Sequence, residues 1–259
     1  DTVVVSSYWD IETSDQVDSA GGVGKTTAEM KTASTYFGWG CDAVWVIDEG
    51  NDYPHLVWEN TPGELITNLP GYAGGSGEPN DPYLIATAEQ LNSIGVSVCH
   101  WDKHFKLISD IDLDGVIFNI IGIRTMPFTG VFDGNDHTIS NFTYGSPETN
   151  YVGLFGCVGP NAEIKDLGLV DPNVNGDHYV GALVGWLEDG TVTGCFAVGG
   201  SVTGAYVGGL VGWNGEGTVS NSYATGAVNG RGRNHLVGGL VGWNDEGTVS
   251  NSYAAGAVY

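Results

Sequence analysis

The sequence predicts an all-β chain, a right-handed parallel β-helix preceded by a small N-terminal capping or separate unit that contains a short helix. Three observations carry this. From Tyr151 onward one phrase recurs as YVGLFGCV, YVGALVGW, YVGGLVGW and LVGGLVGW, starting at Tyr151, Tyr179, Tyr206 and Leu236, so the steps are 28, 27 and 30 residues. A second phrase alternates with it as GTVTGCFAVGGSV, GTVSNSYATGAV and GTVSNSYAAGAV. Both are rich in Val, Tyr, Thr and Gly, which favour strands and tight corners over helix. A fixed period of this size marks a solenoid whose units bury their apolar faces against one another. One such unit has room for three strands of ~5 residues and three turns, a single coil rising ~4.8 Å. Leu183, Leu210 and Leu240 then stack in register.

The elements follow in order. Residues 1–60 read as the separate unit: a strand-like DTVVVSSYWD, a polar Gly-rich stretch, a short helix near Thr26 to Thr35, then the aromatic runs FGWGCDAVWVIDEG and YPHLVW. Residues 61–82, dense in Pro, Gly and Asn, read as a linker. The solenoid occupies residues 83–259. It opens on an amphipathic helix, TAEQLNSIG, with Ala88, Leu91 and Ile94 on one side. The strand HFKLISDIDLDG and a less regular early coil, FTGVFDGNDHTISNFTY, precede the clear repeats.

Composition narrows the function classes. Gly accounts for 42 of 259 residues, far above the usual ~7%, and it belongs to turns and close backbone contacts. Eight Lys and Arg stand against 31 Asp and Glu, a net charge of −23. That field repels phosphate backbones and anionic lipid, so nucleic acid and membrane surfaces are poor partners. It suits an extracellular protein, or one working where salt or divalent cations screen the self-repulsion. No apolar run approaches the ~20 residues of a membrane span. The start at Asp1, without Met or a signal-like segment, reads as a mature or excised piece. Cys41, Cys99, Cys157 and Cys195 form no C-x-x-C and are expected as buried free thiols, with a disulfide as the alternative. Cys157 stands in the later Trp column, and Cys195 aligns with Ser222 and Ser252.

From Tyr83 onward the chain resembles the bacterial surface modules named after the GLUG motif. DPYLIATAEQLNSIG, FKLISDIDLDG, PFTGVFDGNDHTISNFTY, YVGLFG and the GGLVGW…GTVSNSYATGAV pairs carry the resemblance. Residues 8–58 are similar to the closing segment of such a module. The resemblance implies a right-handed β-helix and a large secreted or surface-attached, adhesin-like protein, and it brings no shared catalytic residues. A module's end thus comes first and its beginning second. One explanation is a cut across a tandem array. The other is head-to-tail self-association, with Thr2, Val3, Val4, Val5 and Tyr8 adding a strand beyond Val258 and Tyr259 of a neighbour, because TVVVSSY resembles TVSNSYA.

Other motifs are weaker. GGVGKTT at Gly21 to Thr27 has Ser19 where a phosphate-binding loop needs its first Gly, and it lacks a core strand before it. It reads as a turn entering the short helix. Asp110, Asp112, Asp114 and Gly115 open like a calcium loop, but Ile121 stands where the bidentate Glu belongs. In a strand, Ile111 and Leu113 point in and the three Asp point out, with a weak calcium site as the alternative. Trp186, Trp213 and Trp243 share one column, either a packing ladder or an aromatic row for sugar contact. Phe196, Tyr223 and Tyr253 share a second, expected in the core. The six His are scattered, and the sequence does not reveal the two carboxylates at defined separation that polysaccharide hydrolysis needs. The expected role is non-enzymatic, extracellular and structural or adhesive, with itself, other surface proteins or glycans as partners. The alternatives are a polysaccharide-binding module and a polysaccharide-active β-helix enzyme.

Overall fold

The computed structural model describes residues 7–16, 18–19, 21–36, 39, 44–66, 71–232 and 235–259. It divides into two compact units, residues 1–71 with 96–99, and residues 72–95 with 100–259.

In the first unit, Tyr8–Asp10 pairs in parallel with Val23–Lys25. Helix Thr27–Met30 follows, started by a capping box between Thr26 and Glu29. The backbone N–H of Thr27 donates to the Glu12 carboxylate, so the chain's own acids occupy this helix start; only Gly21 and Gly22 of GGVGKTT bend, and Val23–Lys25 is a strand where a turn was expected. Trp45–Ile47 lies antiparallel between His55–Leu56 and Glu64–Leu65, the last of these within the segment expected as a linker. Tyr36, Ile47 and Ile66 form the core, with Tyr8, Trp39 and Trp45 packed against it. Burial would raise the Asp10 pKa, but its carboxylate accepts from Tyr53 Oη, Thr27 Oγ1 and the N–H groups of Thr13 and Glu12, which together hold it well below the usual range.

The second unit is a parallel β-solenoid with five walls. The first wall runs from Tyr83–Ile85 through His104–Leu107, Val131–Asp133, Glu163–Lys165, Thr191–Thr193 and Thr218–Ser220 to Thr248–Ser250. The second runs from Ile111–Asp112 to Tyr253–Ala254, the third from Thr143–Gly145 to Ala227–Gly230. The fourth stacks Val180–Gly181, Tyr206–Gly208 and Leu236–Gly238; the fifth stacks Phe155–Val158, Val184–Leu187, Val211–Asn214 and Val241–Asn244. Within these walls every pairing is parallel and in register: Phe105, Phe132, Ile164, Val192, Val219 and Val249 form one unbroken ladder. The N–H of Leu183 donates to Leu210 and that of Leu210 to Leu240, so the Leu column stacks as expected.

The coil departs from the expected layout. It carries five strands of two to four residues, not three of about five. The reason lies at its corners: Asp166, Asn221 and Asn251 adopt φ of 50°, 50° and 49°, left-handed turns that Asn and Asp tolerate and that break each strand early. The fourth and fifth walls also meet very closely. A Cβ on Gly212 would lie 2.4 Å from Val180 N and 2.6 Å from the Tyr179 carbonyl carbon, so only Gly fits there.

Helix Ala88–Ile94 buries Leu91 and Ile94, as its periodicity predicts. The second aromatic column does not follow expectation. Ala197 and Ala224 point inward, whereas Phe196 and Tyr223 are half-buried on the outside and Tyr253 is 56% exposed. Among the cysteines, Cys157 and Cys195 are free and buried, their thiols pushed up to about 12 chiefly by burial. Cys99 is disulfide-bonded, which corrects the expectation of a free thiol there; Cys41 lies outside the described residues.

Candidate functional site

One exterior face of the solenoid concentrates the side chains that the core does not use. It follows from the repeating phrase itself: the initial Tyr of YVG and the final Trp of VGW flank the close approach of the fourth and fifth walls. Trp186, Trp213 and Trp243 pair across the fifth wall, with Cys157 one coil before them. The indoles stack with centroids 5.0 and 5.1 Å apart and planes within 4° and 14°. Beside them Tyr151 and Tyr179 stack at 5.1 Å, and Tyr206 continues the row at 5.3 Å, tilted by 49°. Each Tyr also touches the Trp one coil further on: Tyr151 meets Trp186 at 5.6 Å, Tyr179 meets Trp213 at 5.1 Å and Tyr206 meets Trp243 at 5.8 Å.

This geometry limits what the Trp row can do. Rings lying flat on one another use up their faces, and a sugar stacks on an aromatic face. The Nε1 atoms of Trp186 and Trp213 are buried and meet no acceptor, so these two rings turn no polar edge outward. Of the two sequence readings of Trp186, Trp213 and Trp243, a packing ladder or a row for sugar contact, the stacking geometry fits the packing ladder. The Tyr row keeps its polar ends, since no hydrogen bond among the described residues engages the hydroxyls of Tyr151, Tyr179 or Tyr206.

The ladder has a distinct end where Cys157 replaces Trp. Ile123 and Met126 exchange two backbone hydrogen bonds of 3.0 Å, closing a tight turn with Arg124 at its tip. Gly122, at φ 77°, lets this turn press on the next coil, where a Cβ would lie 2.3 Å from the Cys157 carbonyl oxygen. The Arg124 guanidinium lies 5.9 Å from the Trp186 ring centroid, over the face that a Trp in place of Cys157 would cover. Arg124 is exposed and makes no hydrogen bond or ion pair with the described residues. Burial raises the pKa of Tyr151 and Tyr179, and the Arg124 charge pulls both back down. Sequence reading missed this residue because nothing in TMPF or GIRTM announces the contact.

The other expected sites are dispersed. Ile111 and Leu113 are buried and Asp110, Asp112 and Asp114 exposed, in the alternation a strand dictates. Asp110 accepts from the Thr138 N–H at 2.8 Å and meets His137 Nδ1 at 3.2 Å; Asp112 accepts from Asn141 Nδ2 and the Asp114 N–H. These contacts lower both pKa values, the Thr138 N–H chiefly for Asp110 and the Asn141 amide chiefly for Asp112. Among the described residues no three His, Cys, Asp or Glu converge as a metal would need. Of the residues expected to mediate assembly, Thr2, Val3, Val4 and Val5 lie outside the described residues. Tyr8 pairs with Val23 and packs edge-on to Tyr36 at 5.7 Å; Val258 bridges to Val228, and Tyr259 is 74% exposed. No described helix is long and apolar enough to cross a membrane.

Comparison with known proteins agrees with the repeats. Residues 176–203, 203–229 and 233–259 each match the GLUG motif, so the last three coils are GLUG repeats. Halomucin from Haloquadratum walsbyi is 33% identical over 142 residues, 51% of this chain and 2% of its own length. A candidate Gly-rich membrane protein from Evansella cellulosilytica is 34% identical over 123 residues, 44% of this chain and 14% of its own. The chain therefore spans only a small part of either relative. A solved structure of a candidate immunoglobulin A1 protease from Bacteroides ovatus aligns over 73% of this chain and 87% of its own, at 15% identity and a TM-score of 0.40.

Proposed function

We propose that this acidic solenoid, whose last coils are GLUG repeats, is a structural and adhesive segment of an extracellular or cell-surface protein. The observation that carries the reading is the unbroken parallel ladder with aromatic rows stacked along its outside. It makes a stiff rod that repeats the same surface at every coil. A net charge of −23 keeps such a rod soluble and unattractive to nucleic acid. The printed names of the relatives, a halomucin and a Gly-rich membrane protein, accord with a place at the surface.

Two experiments test this. An antibody raised to the purified chain should label intact cells of its source; labelling only after lysis rules the location out. Incubation with neutral and acidic polysaccharides should leave every polymer at its original length, and shortening of any one would replace the structural role with an enzymatic one. End-to-end association through residues 2 to 8 remains a finer proposal, without support from the pairing of Tyr8 inside its own unit. Uniform filaments under the electron microscope would establish it, and a monodisperse monomer would end it.

A further inference from the structure

We propose that Arg124 and the hydroxyl ends of Tyr151 and Tyr179 bind a carboxylate-bearing sugar chain, a polyuronate, laid along the solenoid axis. This rests on the adhesive reading above and supplies it with a ligand class. Four features point to it.

The first is the state of the cation. The chain has only eight Lys and Arg against 31 acids, and the described Lys25, Lys103 and Lys165 are each taken by a carboxylate. Lys31 donates to the Asn51 carbonyl, and Arg231 is held by Asn175 and the Gly176 carbonyl. Lys106 is half-buried and also makes no ion pair with the described residues, whereas Arg124 is exposed, set over an indole and bonded to no acid in a molecule crowded with them. A guanidinium in that state retains all its donors in a planar fork that matches a carboxylate.

The second is its fixed placement. The turn closed by Ile123 and Met126 and pressed down at Gly122 holds the backbone of the tip in position, with the guanidinium 5.9 Å from the Trp186 ring centroid. The backbone under the site is thus formed before a ligand arrives, which lowers the ordering cost of binding.

The third is left-handed backbone at two aromatic residues of this end, where elsewhere, glycine aside, it falls on Asn and Asp. Tyr151 and Tyr179 sit at φ 61° and 62°, a region that aromatic residues rarely enter, and Tyr206 in the same column does not share it. Strain of this kind is held where a side chain must point in one direction. It keeps the two phenols stacked at 5.1 Å beside the Arg124 end of the ladder.

The fourth is spacing. Two stacked phenols on successive coils offer hydroxyls at a one-coil interval, and the guanidinium lies in the neighbouring column, over Trp186. An extended sugar chain lying along the axis presents hydroxyls at a similar interval, with a carboxylate on each residue. Contact is by hydroxyl and guanidinium rather than by face stacking, which the ladder forbids.

The test uses the full chain at 0.15 M salt, where the Debye length is about 8 Å and the molecule's own negative field is damped beyond the site. Oligogalacturonate is titrated while Trp fluorescence and calorimetric heat are read. Saturable binding is expected, weakened about tenfold by Arg124→Gln, partly retained by Arg124→Lys and reduced by Tyr179→Phe. The fully methyl-esterified oligomer, which keeps the sugar and removes the charge, should bind at least as poorly as Arg124→Gln. Lys106→Gln, with the same change in net charge elsewhere, should bind like the parent. No saturable binding, or an equal loss in Arg124→Gln and Lys106→Gln, overturns the proposal. Hexaglutamate binding with the same dependence on Arg124 also overturns it, because the site then reads acidic peptide and not sugar. Failure of any arm leaves the surface labelling and polysaccharide-length results standing, so the two readings fail separately.

Discussion

The early coils and the late repeats of the solenoid fill the same fold in opposite ways. Between residues 105 and 155 the Phe rings are inside: Phe105, Phe128, Phe132 and Phe155 are fully buried and joined by ring contacts at 5.1 to 6.3 Å. After residue 179 the interior is Val, Leu, Ala and Gly, and the rings stand outside in stacked rows. The second-wall ladder shows the exchange position by position, from Ile111, Ile139 and Leu169 to Ala197 and Ala224. A wide coil needs large side chains to reach native packing density, whereas a coil whose walls touch through Gly has no room for them. The same apolar residues, displaced outward, then stabilise the ladder by stacking on their copies.

That contrast can be broken by substitution, and the largest effect belongs to the early interior. Phe132→Ala removes a fully buried ring and should destabilise by about 3–5 kcal/mol in denaturant unfolding, since the surrounding coils collapse only partly. A loss under about 1 kcal/mol would mean the early coils are not packed as a rigid core.

Close wall contact in the late repeats predicts the next effect. Gly212→Ala forces a methyl group into backbone atoms and should cost about 1–3 kcal/mol or more, while Gly145→Ala in an early strand meets open space and should be close to neutral. Equal melting temperatures for the two variants would remove the argument that Gly sets the width of the late coils.

Outside the late coils, Trp213→Ala deletes the middle ring of the ladder. Each lost stacking contact is worth about 0.5–1.5 kcal/mol beyond burial, so the variant should be destabilised and near-ultraviolet circular dichroism should lose the signal of coupled indoles. An unchanged spectrum would show that the rows are not stacked in solution.

Acid provides the smallest and most local difference. Asp110 and Asp112 join early coils through Thr138 and Asn141, and their pKa values lie below the ordinary 3.8. A depressed carboxylate contributes stability that is present above its unfolded pKa and fades as pH falls through its folded one. Lowering the pH below 3.8 should therefore loosen amide exchange at Thr138 before it loosens the Cys195 N–H, which the neutral Ser222 hydroxyl holds at 3.1 Å. Both carboxylates are exposed, so the shift should be slight; the reverse order of loosening would contradict the assignment.

Much of this was legible beforehand, for a physical reason. Alignment of the repeated phrases already placed Leu183 beside Leu210, Trp186 beside Trp213 and Cys195 beside Ser222, because a parallel ladder puts equal phrase positions on top of one another. The hydrogen bonds from Cys195 N to Ser222 Oγ and from Ser222 N to Ser252 Oγ confirm the last column. The side of the wall was harder. A strand of two to four residues holds at most two alternations, too few to set inside from outside, which is why the Phe196 column was expected in the core.

The sequence by itself determined the period, the register and the parallel stacking of coils, since each depends only on like residues recurring at a fixed interval. Tertiary structure decided the number of walls, the outward turn of the aromatic rows and the meeting of Arg124 with Trp186. Those depend on left-handed corners, on how near two backbones can come, and on which distant turn fills the space left by Cys157. None of the three is a property of a short stretch of residues; each is fixed only when the coils close on one another.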